Sequence, residues 1–91
     1  MLFGKKRKAY KKFREATLLM EQWGTIRRKT QAHNMMRLGK ETDAMRMMNQ
    51  AQEEFARAMR QCNVSDAELE YIRQNMDAFT DKLHKELDNK Q

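Results

Sequence analysis

Proline is absent from the 91 residues and glycine occurs only three times, so little in the chain interrupts a helix. The lone cysteine, Cys62, cannot form an internal disulfide. Nothing else points to an oxidising compartment, and a cytoplasmic location is the expectation. No apolar run approaches the roughly 20 residues that span a bilayer. Ala16–Met20, which follows the basic run Lys5-Lys6-Arg7-Lys8, is too short for a secretory core and stops at Glu21, and Leu2 stands where N-myristoylation requires glycine. No integral membrane segment is expected. Aromatics make up only 8%, whereas nine methionines carry much of the apolar content, and flexible thioethers fill space well but specify a unique core poorly.

Residues for catalysis are equally scarce. His33 follows the polar stretch Arg28-Lys29-Thr30-Gln31-Ala32, His84 sits near the end of the chain, and no spacing relates either to a carboxylate or a nucleophile. Cys62 ends an apolar seam and reads as a small core hydrophobe. Two histidines and one cysteine, far apart, make no zinc motif, and no glycine-rich phosphate loop is present. The sequence predicts a protein that binds without catalysing, with no metal and no cofactor.

What the sequence does contain is charge, unevenly spread. Residues 1–40 hold twelve Lys and Arg against two Glu, a net +10, while residues 41–91 hold seven against eleven Asp and Glu, a net −4. A basic half of this kind suits an anion, most often nucleic acid and less often an anionic membrane. The competing reading is that the two halves neutralise each other, within one chain or between copies. At this length only roughly 60% of the unfolded surface is buried on folding, so a second copy is also a plausible source of stability.

Along the chain the last segment is the most legible. Ser65-Asp66-Ala67-Glu68 has capping-box spacing, and Leu69, Ile72, Met76, Phe79, Leu83 and Leu87 then draw one apolar stripe, which predicts a single helix with a core face. Gly39 is placed to end one helix and Thr42 or Asp43 to start the next, forming a helical hairpin. The seam of the second hairpin helix is Ala44, Met48, Ala51, Phe55, Ala58 and Cys62, a heptad alternation of small and large residues that lets a neighbour come close. Met45, Met47 and Met59 widen that face beyond what one neighbour covers. Leu38-Gly39 with Ala51 and Phe55 resembles part of one tetratricopeptide unit. Met35 and Thr42 stand where that family prefers Trp and Tyr, its proline is missing, and its register would put Gly39 inside a helix, so the segment is treated as a generic hairpin.

At the other end, Ala9, Phe13, Ala16, Met20 and Trp23 fall on one side of a helix, with Arg7, Lys11 and Arg14 opposite. Either one long helix runs from about Lys5 to Leu38, or Gly24 divides it. Unbroken, it would extend ~50 Å, past the ~30 Å of the next helix, so its start would project unless the third helix or another chain covered it. The expected architecture is all-α: an antiparallel bundle of three long helices, four if the first breaks at Gly24. One domain would span residues 1–91, with 1–14 as a basic arm or helix extension.

Three functions follow in order. The first is nucleic-acid binding, with Lys5, Lys6, Arg7, Lys8, Lys11, Lys12 and Arg14, and then Arg27, Arg28 and Lys29, on phosphate; Phe3, Tyr10 and Phe13 are interleaved where aromatics could stack on unpaired bases. A helix-turn-helix is excluded, because the helix after Gly39 would bring Glu41 and Asp43 to phosphate. The second is a protein partner on the face made by Phe13, Met20 and Trp23, or on the methionine-rich tip made by Met35, Met36, Met45 and Met47. The third is peripheral attachment of the first helix to an anionic membrane. A homo-oligomer is expected in any of these.

Overall fold

A computed structural model describes residues 2–89, with side chains from Gly4 onward; the side chain of Phe3 lies outside the described residues. Five helices follow in order: α1 (Leu2–Trp23), α2 (Thr25–Arg37), α3 (Glu41–Gln61), α4 (Asp66–Gln74) and α5 (Met76–Asn89). The described chain is all-α, and residues 4–14 continue α1 as helix.

Each helix stops for a local reason. Gly24 takes φ +78°, which breaks the hydrogen-bond ladder between α1 and α2 and settles the choice between one first helix and two. At Gly39, φ is +77°, the glycine amide donates to Met36 and the Lys40 amide to Met35, which is a Schellman ending. Gly39 therefore closes a turn, against the tetratricopeptide register. Asn63 repeats the motif at φ 59°, with its own amide on Arg60 and the Val64 amide on Met59. Ser65 then opens α4 with the expected capping box, Ser65 Oγ accepting the Glu68 amide at 3.2 Å and Glu68 Oε1 accepting the Ser65 amide at 2.9 Å.

The fourth break corrects the sequence reading. A single last helix was expected, yet α4 and α5 part at Asn75, where ψ turns to 20° and the side-chain amide donates to the Tyr71 carbonyl at 2.8 Å. Asparagine competes for local backbone groups in this way and so weakens helix interiors. The described residues thus form five helices where the sequence predicts three or four.

Packing explains why the start of α1 does not project. α2 folds tightly back on α3, held close by Ala32, Ala44 and Ala51, all buried. α1 meets the far end of α3 and is covered along the rest of its apolar side by α4 and α5. The resulting core joins Ala9, Tyr10, Phe13, Ala16 and Met20 of α1 to Ala58 and Met59 of α3, Ile72 of α4, and Phe79 and Leu83 of α5. Phe79 is its centre, in edge-to-face contact with Tyr10 at 5.4 Å between ring centres and tilted against Phe13 and Tyr71. Among the described residues no helix is long and apolar enough to cross a membrane.

Candidate nucleic-acid interface

Burying one side of α1 fixes what the other side shows. Because the apolar stripe is covered, Lys5, Lys6, Arg7, Lys8 and Lys11 stand exposed on the first three turns, and none of them makes an ion pair among the described residues. Arg27 and Lys29 are likewise exposed on α2.

Three other basic residues are drawn into the fold. Lys12 Nζ sits 2.8 Å from Glu68 Oε1 and 2.7 Å from the Asn63 carbonyl. Arg14 Nε lies 3.7 Å from a Glu86 oxygen, a loose pair. Arg28 grips Glu54, with Nη1 2.7 Å from Oε2, while Thr25 Oγ1 donates to the other oxygen of the same carboxylate at 2.7 Å. All three pairs join the basic first forty residues to the acidic remainder. Among the described residues the two halves therefore do neutralise each other, but only through Lys12, Arg14 and Arg28. Glu68 records the cost of separating such a pair: the Lys12 ammonium, with the Ser65 amide second, holds its carboxyl down at about 2.

Lys82 is a member of this surface that charge counting over the sequence missed, because it belongs to the acidic half. α5 packs on α1 so that Lys6, Arg7 and Lys82 surround an open cleft of about 310 Å³ floored by Tyr10, Ala78 and Phe79. The Lys82 ammonium rests 4.3 Å from the centre of the Tyr10 ring, a cation–π contact. The available signal was the position of Lys82 at the edge of the Phe79/Leu83 stripe, where a cation flanks whatever helix that stripe covers. The Tyr10 hydroxyl and Arg14 Nε are closed off from solvent with no hydrogen-bond partner among the described residues. Burial first, then the Glu86 carboxylate, pushes the Tyr10 phenol up to about 12.

The residues named for a protein partner separate into two groups. Phe13 and Met20 are core residues, 4% and 8% exposed, and Trp23 is half-buried against the same core, so this face is not a free surface. At the Gly39 tip, by contrast, Met36 is 39% exposed, Leu38 72% and Met45 55%, with Met35 and Met47 half-buried beside them.

His33 and His84 are exposed, and Cys62 is half-buried, its thiol pushed up by burial and then by Glu15, which keeps it protonated. Among the described residues no group of three His, Cys, Asp or Glu side chains is placed to hold a metal. Comparison with known protein families, with curated proteins and with solved structures finds no significant match to this chain.

Proposed function

We propose that this chain is a non-enzymatic nucleic-acid-binding accessory protein that grips phosphate through the outward side of α1. The observation that carries the reading is the covered stripe: with Ala9, Phe13, Ala16 and Met20 buried, the surface α1 offers is Lys5, Lys6, Arg7, Lys8 and Lys11. Arg27 and Lys29 extend it, whereas Lys12, Arg14 and Arg28 serve the fold. The same burial removes the apolar side that α1 would need to lie at a lipid interface. In this reading α1 with α2, α3, and α4 with α5 act as the three arms of an antiparallel bundle in the cytoplasm.

Deleting residues 1–14 would not test this, because it removes Ala9, Tyr10 and Phe13 from the core. Replacing the exposed Lys5, Lys8 and Lys11 together by glutamine leaves the fold within about 0.5 kcal/mol per site. A labelled oligonucleotide should bind the native chain at low salt, with log affinity falling by roughly 0.7–0.9 per phosphate contact for each decade of salt, and the triple variant should bind more weakly with a shallower slope. No binding at low salt, or equal binding by the variant, refutes the proposal.

A second reading rests on the exposure of Met36, Leu38 and Met45: a protein partner, or a second copy, seated on the hairpin tip. Leu38→Asp with Met45→Asp should then abolish a pull-down that survives nuclease, or lower the mass seen by sedimentation, without changing oligonucleotide binding. A capture that nuclease abolishes would count against it.

A further inference from the structure

The phosphate-binding reading leaves open which nucleic acid is bound, and the α1–α5 cleft bears on that. Its rim carries three cations from two helices, Lys6 and Arg7 from α1 and Lys82 from α5, and no acidic side chain lines it. That charge selects an anion. Its floor is nevertheless apolar and aromatic, made by Tyr10, Ala78 and Phe79. A phosphate group alone gains nothing from such a floor, whereas a nucleobase attached to a phosphate gains by burying its ring there. In a duplex the bases are stacked and paired, so only phosphates and groove edges reach a protein surface. A cleft combining a cationic rim with an aromatic floor therefore fits an unpaired nucleotide better than it fits duplex.

Resting on the reading above, we propose that the cleft between α1 and α5 holds one unpaired nucleotide, its base over the Tyr10 ring and its phosphate on Lys6, Arg7 and Lys82, so that the ligand is single-stranded nucleic acid. Tyr10 is 7% exposed with the Lys82 ammonium over its ring, while Phe79, at 2%, packs behind it in the core. Lysine is flexible and its contact with an aromatic ring is weak in water, so an arriving phosphate draws the ammonium off the ring and the base takes its place. Lys82 thus acts as a movable cover that exchanges a ring for a phosphate.

The test compares three labelled probes by fluorescence anisotropy at low salt on the full chain: oligothymidine, an abasic strand of equal length, and a blunt duplex of that length. The native protein should bind oligothymidine roughly tenfold more tightly than the abasic strand, which keeps the phosphates and lacks the bases. Ala78 is exposed on α5, and Ala78→Leu fills the cleft without changing charge, so it should erase most of that tenfold difference. Lys82→Gln should reduce the salt slope for oligothymidine by about 0.7, one single-strand phosphate. Equal affinity for the abasic strand and oligothymidine in the native protein overturns the cleft proposal whatever the variants do. If all three probes bind alike, the phosphate surface stands and the cleft alone is rejected; if none binds, both fall together.

Discussion

The Lys12 ammonium lies 2.8 Å from Oε1 of Glu68, the same oxygen that accepts the Ser65 amide at 2.9 Å. One carboxylate oxygen therefore closes the capping box of α4 and ties α4 to α1, while Lys12 also caps the α3–α4 turn through the Asn63 carbonyl. Lys12 sits beside Lys11, which is exposed and makes no such contact. Lys12→Ala should lower stability by about 1–2 kcal/mol, the worth of a charged hydrogen bond partly screened by solvent, and depress the melting temperature by roughly 4–8 °C per kcal/mol. Its oligonucleotide affinity should be native at temperatures where it is fully folded. Lys11→Ala should do the reverse. If Lys12→Ala weakens binding and leaves the thermal melt unchanged, Lys12 belongs to the phosphate surface after all.

The same contact sets an acid limb of stability. Glu68 titrates at about 2 in the folded chain against an ordinary value of 4.5, so the folded state favours the carboxylate. That contribution is fully present above about 4.5 and is lost as pH falls toward about 2. Denaturant unfolding at stepped acid pH should show stability falling through this window, and Glu68→Gln should flatten the fall while lowering stability at neutral pH. An unchanged acid profile in Glu68→Gln would assign the limb to other carboxylates.

Backbone conformation predicts a contrast between two glycines and one asparagine. A Cβ on Gly24 would meet nothing nearer than an Arg28 guanidinium nitrogen at 3.9 Å, and a Cβ on Gly39 nothing within 4 Å, so space is not limiting at either position. What limits them is φ of +78° and +77°, which an L side chain occupies at a cost of roughly 1–2 kcal/mol. Gly24→Ala and Gly39→Ala should each lose about that much in urea unfolding. Asn63→Gly, at φ 59° and exposed, should gain up to about 1 kcal/mol, because glycine relieves the same strain. A stabilising Gly24→Ala would mean that α1 and α2 can fuse into one helix.

Which parts of this were legible in the sequence follows from the range of each interaction. The Ala9–Met20 stripe, the Ser65 capping box and the Gly39 turn are written in residues three to seven apart, and all three are present in the fold. The Asn75 break was hidden because Ile72, Met76, Phe79 and Leu83 keep their period straight through it. The ion pairs were hidden for the opposite reason. Lys12 meets Glu68 across 56 positions and Arg28 meets Glu54 across 26, and no count of charge in the first forty residues tells which cations the fold will use. Lys82 was missed in the same way, since its neighbours Lys6 and Arg7 come from the far end of the chain.

Tyr10 offers a direct optical check on how α1 and α5 meet. Its phenol is raised from 10.0 to about 12, first by burial and then by the Glu86 carboxylate, so the folded state favours the neutral phenol. Stability from this group is present below about 10 and is lost as pH rises toward about 12. The chain has two tyrosines, so Tyr71→Phe leaves Tyr10 as the sole source of tyrosinate absorbance. Its titration midpoint in the folded variant should lie near 12 and return to about 10 in denaturant. Glu86→Gln on that background should lower the folded midpoint without bringing it to the denatured value, since burial, the larger cause, remains. A folded midpoint equal to the denatured one would place the Tyr10 ring in solvent, open the α1–α5 contact, and leave the cleft without its floor.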